Sequence, residues 1–466
     1  MKKLFILFIA TGLIAGSCRK IEVDGPTTTI DNSNNGTENV ILEGRITENR
    51  TLKAQYTYKL RGLVYVTNGA VLTIEPGTKI VGESNRNGGL IVTRNAKLNA
   101  DGTADKPIVF TSESSTPKRG DWAGIVLLGN APTNASYNGQ QGIGEIEGGI
   151  NNSEGMGLYG GTNAADNSGI LRYVRIEYAG YAFLPDKEIN GLTFGGVGNQ
   201  TVVDYVQVSY ANDDSFEWFG GTVNCKHLIS LFTLDDDFDT DNGYAGKVQF
   251  GIALRDSAIA DISNSEAFES DNDANGSSIT PQTSAVFTNM TVLGPKVSLT
   301  NVGNSRFLGA VQIRRNSSIS LFNSIVAGWP QGLIIDASKG VPTDNNITGT
   351  TPSLFVQNNI IGGCTLPIVY ASSTTNATGS TAISILSWYN NATNLNTILN
   401  TTAELGLTAP FNYSSPDFNP SSASSPAASA ATFSHAKLSG LQQVTYKGAC
   451  AVGDTWWKGW TRYNYN

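Results

Sequence analysis

Short apolar runs, rather than long amphipathic stretches, dominate the chain after residue 40. In LTIEPGTKI (72–80) and LIVTRNAKL (90–98), apolar residues alternate with polar ones, and Gly, Asn or Pro bounds the runs. Alternation with a period of two is typical of a strand with one buried face, and Gly, Pro, Asn and Asp favour turns. Convincing 3.6-residue periodicity is almost absent. The pattern therefore predicts an all-β chain.

The predicted strands recur along the chain. The segment 72–80 matches 90–98 at an offset of 18 residues, and YVRIEYA (173–179) matches YVQVSYA (205–211). VQVSYANDDSFE (206–217) matches LISLFTLDDDFD (228–239) at an offset of 22. An Asn followed five residues later by Gly occurs three times, at Asn289, Asn323 and Asn358. Repeats of 18–35 residues with short strands predict a solenoid of stacked coils, whereas a propeller prefers steadier repeats of four strands.

The ends of a solenoid expose strand edges and need covering. We expect residues 41–392 to form the solenoid, with 42–66 capping its first coil. Residues 393–466 are expected to form a C-terminal cap with an irregular strap and a Trp-rich tail. Leu395, Ile398, Leu399 and Leu405 have helical spacing and predict a short helix over 393–406. Trp456, Trp457 and Trp460 are expected to pack on the last coil.

Several motifs resemble one known family. VYVTNGAVLTIEPGTKI (64–80), LIVTRNAKLNADGTADKPIVFTS (90–112) and GDWAGIVLLG (120–129) resemble the start of right-handed parallel β-helix surface lipoproteins of the Bacteroidota, relatives of the pectin-lyase-like β-helices. PDFNPSSASSP (416–426) and YKGACAVGDTWWKGWTRY (446–463) resemble their closing segment and tail. The resemblance covers most of 42–466 and implies a right-handed parallel β-helix. It implies no settled biochemical activity.

The N-terminus predicts export. Residues 1–17 have a charged start, an apolar stretch too short to span a bilayer and then small residues, as in a secretory signal peptide. Ala15-Gly16-Ser17-Cys18 resembles a bacterial lipobox, which implies lipidation of Cys18 and anchoring to a membrane. Residues 18–40 are polar and predict a flexible linker. We expect an outer-membrane lipoprotein, at the cell surface or on the periplasmic face.

Charge and cysteine content narrow the functional classes. The formal net charge of −8 argues against a nucleic-acid partner. Cys225, Cys364 and Cys450 are too few and too scattered for a disulfide framework, and their pairing stays open. No Cys-x-x-Cys or His cluster suggests zinc. No organic cofactor is expected.

Carboxylates are concentrated in three related segments, NDDSFEWFGG (212–221), LDDDFDTDNG (234–243) and SEAFESDND (265–273). An offset of one coil would stack Asp214 near Asp236, where like charges about 5 Å apart repel by roughly 3 kcal/mol at an effective dielectric constant of 20. A cation between them is one solution, and stacked Asx turns are another. The expected ion is Ca²⁺, and its candidate ligands are Asp213, Asp214, Glu217, Asp235, Asp236, Asp237, Asp239, Asp241, Glu269, Asp271 and Asp273.

Aromatic residues accompany the carboxylates. Phe216, Phe238 and Phe268 are expected to stack inside the solenoid. Trp218 and Tyr244 are candidate ligand-binding residues that could present a ring to a sugar, although core packing is the alternative for them.

Three functional classes remain. The preferred one is an anchored β-helix that binds a glycan or an outer-membrane protein partner. The alternative is a calcium-dependent polysaccharide lyase or hydrolase, for which Asp213, Asp214 and Asp236 could supply an acid–base pair. The Gly-His-Gly and Arg-x-Lys motifs of hydrolases on this fold are absent. The third class is a purely structural envelope protein.

Overall fold

The computed structural model describes residues 39–84, 87–184, 187–298, 300, 303–373 and 379–465. The predicted signal peptide, Cys18 and nearly all of the predicted linker lie outside these residues. Within the described ranges, the helices are all too short or too polar to cross a membrane.

Strands make up most of the regular structure. In chain order they are β1 Asn39–Ile46, β2 Arg50–Leu52, β3 Thr57–Val66, β4 Val71–Ile74, β5 Lys79–Gly82, β6 Gly89–Val92, β7 Lys97–Asp101, β8 Ile108–Ser112, β9 Ile125–Leu128, β10 Ser136–Tyr137, β11 Gln140–Gln141, β12 Gly144–Glu145, β13 Leu158–Tyr159, β14 Gly169–Glu177, β15 Ala182–Leu184, β16 Lys187–Glu188, β17 Leu192–Gly195, β18 Val202–Ser209, β19 Phe216–Phe219, β20 Asn224–Leu231, β21 Phe238–Asp241, β22 Lys247–Leu254, β23 Ser265–Ser270, β24 Val286–Thr288, β25 Thr291–Leu293, β26 Phe307–Ile313, β27 Ser320–Phe322, β28 Ile325–Ala327, β29 Gln331–Ala337, β30 Val356–Gln357, β31 Ile360–Gly362, β32 Leu366–Ser372, β33 Thr397–Leu399, β34 Leu407–Ala409 and β35 Asp417–Pro420.

Helices in the described part of the chain are few and short. The α-helices are α1 Asn345–Thr348 and α2 Ala382–Tyr389, and the 3₁₀-helices are Ala392–Asn394, Ala403–Leu405, Pro426–Ala428 and Ala436–Leu438.

The parallel strands wind into a solenoid with three faces. Sheet A stacks part or all of β1, β3, β5, β8, β14, β18, β20, β22, β25, β28, β31 and β33. Sheet B stacks β2, β4, β7, β14, β18, β20, β22, β24, β27 and β30. Sheet C stacks β1, β3, β6, β9, β17, β19, β21, β23, β26, β29 and β32. The predicted all-β parallel solenoid is confirmed.

At the corner between sheets B and A, one residue per coil has a left-handed backbone conformation. Tyr173, Tyr205, His227 and Phe250 have positive φ angles there, and Asn289, Asn323 and Asn358 take the same place in later coils. Asn adopts this left-handed conformation more readily than most residues. Its amide also bonds between coils, since Asn358 Nδ2 donates to Asn323 Oδ1 at 2.7 Å. The Asn repeat thus marks a real corner.

Aromatic rings stack from coil to coil inside the solenoid. Phe216 and Phe238 have ring centroids 5.7 Å apart, and Phe238 and Phe268 5.2 Å apart, which confirms the predicted row. This stacking fixes the register of sheet C, because an inward residue of one coil must lie on an inward residue of the next.

Two predictions for the N-terminal half are wrong. Leu72 pairs with Leu98 rather than with Leu90, because Leu90 lies on sheet C and Leu72 on sheet B. The segment 42–66 forms the first coil instead of capping it, since β1 and β3 are parallel neighbours.

The C-terminal end of the solenoid also differs from the prediction. No α-helix spans 393–406, where Leu395 has a φ of 53° and β33 pairs with β31. The nearby helix is α2, Ala382–Tyr389, which ends before the predicted helix would begin. It contacts β32 and buries Ile385 and Tyr389 in the main core. Asn396 accounts for the difference, because its side chain donates to the backbone carbonyls of Val356 and Tyr389.

The tail packs on the flank of the solenoid rather than on its last coil. Trp460 contacts the rings of Tyr173 and Tyr205, and Trp456 contacts His227. The outer side of sheet A is apolar here, with Ile229 and Ile252 in one cluster with Trp457 and Trp460. Sheet A therefore needs a cover on its outer side, and the tail supplies it.

Candidate metal site on sheet C

Sheet C places a row of carboxylates on its outer side. Along β19, Phe216 and Trp218 point into the core, so Glu217 between them points out. Glu217 pairs with Asp239 on β21, and Asp239 pairs with Glu269 on β23. Neighbouring strands lie about 4.8 Å apart, so the three side chains form a continuous row.

A second row lies at the corner between sheets A and C. Asp214 Oδ1 accepts the backbone N–H of Asp236 at 2.7 Å, and Asp236 Oδ1 accepts that of Glu266 at 2.6 Å. Asn190 Oδ1 accepts the N–H of Asp214 at 3.2 Å in the same way. Each side chain thus accepts a backbone N–H group from the turn at the same corner of the next coil. Each carboxylate has a second oxygen that this bond does not use.

The two rows meet in three groups of possible ligands. Oxygens within 4.8 Å of one another are offered by Asp213, Asp214 and Asp235, by Asp214, Glu217 and Asp239, and by Asp236, Glu266 and Glu269. Asp214 belongs to two of these groups. Closely spaced oxygens from several carboxylates are the ligand set that hard divalent cations prefer.

The electrostatics of the rows disfavour full ionisation. Burial first, and then neighbouring carboxylates, raise the pKa values of Asp214, Glu217, Asp236 and Asp239 well above the usual range. Burial likewise raises the pKa of Asp235 to about 7 and that of Glu266 to about 8. Near pH 7 and without a bound cation, Glu266 therefore stays largely protonated and Asp235 partly protonated.

Two arginines, Arg314 and Arg315, lie at the Glu269 end of the rows. Arg314 pairs with Glu269 and also with Asp271 at 2.9 Å, and Arg315 pairs with Asp271 at 2.5 Å. Beside them is a recess of about 100 Å³ lined by Arg314, Arg315, Asp336, Ser338 and Lys339.

Four of the predicted ligands lie outside the three groups. Asp271 is held by the two arginines. Asp273 accepts the N–H groups of Asn275 and Ser277 in its own turn, as the Asx-turn alternative predicts. Asp241 accepts the next backbone N–H at 2.5 Å, and burial raises its pKa to about 8.

Asp237 is the fourth, and it points into the solenoid. It is fully buried, accepts a bond from Ser230 Oγ at 2.5 Å and lies 3.5 Å from the buried Arg255. Its buried partner makes it a structural carboxylate.

Sequence reasoning missed Glu266 as a candidate ligand. It lies two residues before Phe268, as Asp214 and Asp236 lie two residues before Phe216 and Phe238. Alignment of the three segments on the stacked Phe would have found it.

The two candidate sugar-contacting rings are in the core. Trp218 and Tyr244 are both fully buried and stack on each other at 5.3 Å. Neither ring faces a surface ligand, because both belong to the inward rows of their coils.

These features define a class: a parallel β-solenoid with an acidic outer face. The family model for the pectate-lyase-like beta helix domain matches residues 44–406, more than three quarters of the chain. The chain therefore belongs to the pectate-lyase-like β-helix family. Searches of curated proteins and of solved structures gave no match.

Proposed function

We propose that the protein is a lipid-anchored envelope β-helix that binds Ca²⁺ in the carboxylate rows and uses it to bind a glycan. One observation carries the proposal. Asp214, Glu217, Asp236 and Asp239 lie together, and within the described ranges none of them has an ion pair with Lys or Arg. Buried carboxylates without a counter-charge are costly, and a cation removes that cost.

Ca²⁺ suits these ligands better than the other common cations. The groups offer oxygen and neither sulfur nor imidazole nitrogen, which disfavours zinc and copper. Ca²⁺ accepts six to eight oxygens in flexible geometry, whereas Mg²⁺ demands a near-ideal octahedron and keeps more of its water. A bound Ca²⁺ with open positions could accept hydroxyl or carboxylate oxygens of a sugar.

The recess beside Arg314 and Arg315 is an argument that the glycan is anionic. A sugar chain that lies along sheet C from Glu217 toward Arg314 would meet a bound cation first and the recess next. Both ends of that path favour a negatively charged ligand.

A glycan array tests the binding role. The protein is applied with Ca²⁺ and with EDTA, and the variant Glu217→Gln/Asp239→Asn is compared with Asp105→Asn, which removes an exposed carboxylate elsewhere. We expect wild type and Asp105→Asn to bind acidic glycans only with Ca²⁺, and the double variant to lose binding. Equal binding with EDTA contradicts a role for the metal, and no binding by wild type favours a purely structural protein.

The envelope location is a separate part of the proposal. It is supported by the signal-like residues 1–17 and the lipobox resemblance at Cys18. Metabolic labelling with a fatty acid should mark the wild type and fail to mark Cys18→Ala. Protease treatment of intact cells then distinguishes the surface from the periplasmic face, since only a surface protein is cleaved.

Polysaccharide cleavage is the second candidate. Glu266, with a pKa of about 8, lies in one ligand group with Glu269, which contacts Arg314. A carboxyl group that keeps its proton near neutral pH can act as a general acid. Unsaturated products or new reducing ends from a panel of polysaccharides would establish this activity, and their absence would leave binding as the function.

A further inference from the structure

A second cavity lies at the corner between sheets A and C, in the coils of β8, β14 and β18. Its volume is about 410 Å³, and it is lined by Pro117, Lys118, Arg119, Tyr178, Tyr210 and Tyr465. Tyr210 precedes Asp214 by four residues along the chain, and the cavity shares no residue with the carboxylate rows. Small-molecule sites commonly have this size, with aromatic walls and a few polar groups.

Three tyrosines form the walls. Tyr178 and Tyr210 stack with ring centroids 5.5 Å apart, and both hold positive φ angles at the ends of successive strands. Tyr465 meets them edge-on, at 5.7 Å and 4.9 Å. Within the described ranges, the hydroxyls of Tyr178 and Tyr210 make no hydrogen bond to protein. They can therefore serve ligand hydroxyls, while the ring faces pack against an apolar surface.

The two charged residues that line the cavity, Lys118 and Arg119, are cations. Arg119 lies 4.9 Å from the centre of the Tyr210 ring and donates to the carbonyls of Ala211, at 3.1 Å, and Phe232. Burial lowers the pKa of Arg119 to about 10, so it stays charged at neutral pH. Lys118 is exposed, and no carboxylate in the described ranges pairs with its ammonium group. Both cations favour an anion and disfavour a cationic ligand.

We propose that this cavity binds one anionic sugar residue, a hexose ring that carries a carboxylate, sulfate or phosphate group. The Tyr rings contact the apolar face of the sugar, the two free Tyr hydroxyls bond its hydroxyls, and Lys118 and Arg119 pair with its anionic group. The binding needs no divalent cation. It therefore stands or falls independently of the calcium-dependent function proposed above.

Saturation-transfer NMR in EDTA tests this proposal. The probes are glucuronate, glucose 6-sulfate, glucose 6-phosphate and neutral glucose, and 4-hydroxybenzoate serves as an anion with an aromatic ring. We expect at least one anionic sugar to bind and glucose to bind about tenfold more weakly or not at all, the usual effect of losing a charge-assisted contact. Which anionic sugar binds identifies the charged group.

Variants link the binding to the cavity. Lys118→Ala and Tyr465→Ala should each weaken binding of the anionic sugar by about tenfold, while Lys79→Ala, which removes an exposed lysine on β5, leaves it unchanged. Melting curves confirm that each variant is folded. The proposal is overturned if no anionic sugar binds, if glucose or 4-hydroxybenzoate binds as well as the best of them, or if neither variant weakens binding.

Discussion

Aspartates of one acidic segment occupy two different environments, and their partners explain the difference. Asp237 points inward to Arg255, which is fully buried and donates to the carbonyls of Asp235, at 2.5 Å, and Leu234, at 3.1 Å. Asp236 points to the outer corner, where its described neighbours are carboxylates. Adjacent residues therefore differ in role because side-chain direction alternates along an extended chain.

Loss of the inward carboxylate should destabilise the fold. Asp237→Asn leaves Arg255 buried without a counter-charge, and we expect the free energy of unfolding to fall by about 3 kcal/mol. Urea denaturation measures this, with Asp105→Asn as the exposed control. Equal stability of the two variants would show that the Arg255 carbonyl contacts suffice.

At the scale of elements, side-chain amides of the solenoid hold the C-terminal segment that runs along its flank. Asn323 Nδ2 donates to the Thr432 carbonyl at 2.9 Å, and its Oδ1 accepts the Thr432 N–H at 3.0 Å. Further along, Gln249 bonds Gln442 and Gln207 bonds Arg462 by the same two-way contact. These amides join the tail to three coils of the solenoid.

The corner amide can be tested without backbone strain. Asn323→Gly keeps the left-handed conformation but leaves the Thr432 groups unpaired, so we expect a loss of about 2–3 kcal/mol in the free energy of unfolding. Asn68→Gly is the matched control, because Asn68 is exposed with a φ of 58°. Its stability should stay within about 0.5 kcal/mol of wild type. Similar losses in both variants would mean that the glycine backbone, not the lost amide, is responsible.

The sequence predicted some coil neighbours and not others for a physical reason. The 22-residue offset was correct because 206–217 and 228–239 begin on the same face, which puts Glu217 beside Asp239. The 18-residue offset failed because it compared two faces of one coil, and alternation with a period of two looks alike on every face.

The C-terminal tail was wrongly assigned to the last coil. The sequence does not distinguish the end of a solenoid from a flank that another segment covers. The available signal was the segment 228–232, in which Ser230 is the one polar residue, because a nearly continuous apolar run is typical of a strand buried on both sides.

At the scale of the whole molecule, the carboxylate rows should control how stability depends on pH. The pKa values of Asp235, Glu266 and Asp241 in the folded chain, about 7, 8 and 8, lie above their unfolded values near 4. Between those limits the folded chain binds more protons than the unfolded chain. Its stability therefore falls as pH rises from about 4 to about 8 in the absence of metal.

Melting temperatures across this pH range test the expectation. In EDTA the melting temperature of wild type should fall with rising pH, and Glu217→Gln/Asp239→Asn should flatten the decline. Ca²⁺ should raise the melting temperature most at the alkaline end, where the carboxylates are ionised and available as ligands. A melting temperature that rises with pH in EDTA would contradict the raised pKa values.

Calcium titration of the EDTA-treated protein by calorimetry tests the central claim most directly. We predict saturable Ca²⁺ binding by wild type and Asp105→Asn, with proton release that grows as pH falls from 8 toward 6, because more carboxyl groups then carry protons to be displaced. Glu217→Gln/Asp239→Asn should bind at least about tenfold more weakly. Absence of Ca²⁺ binding by the wild type, or equal binding by the double variant, would contradict a metal site on sheet C.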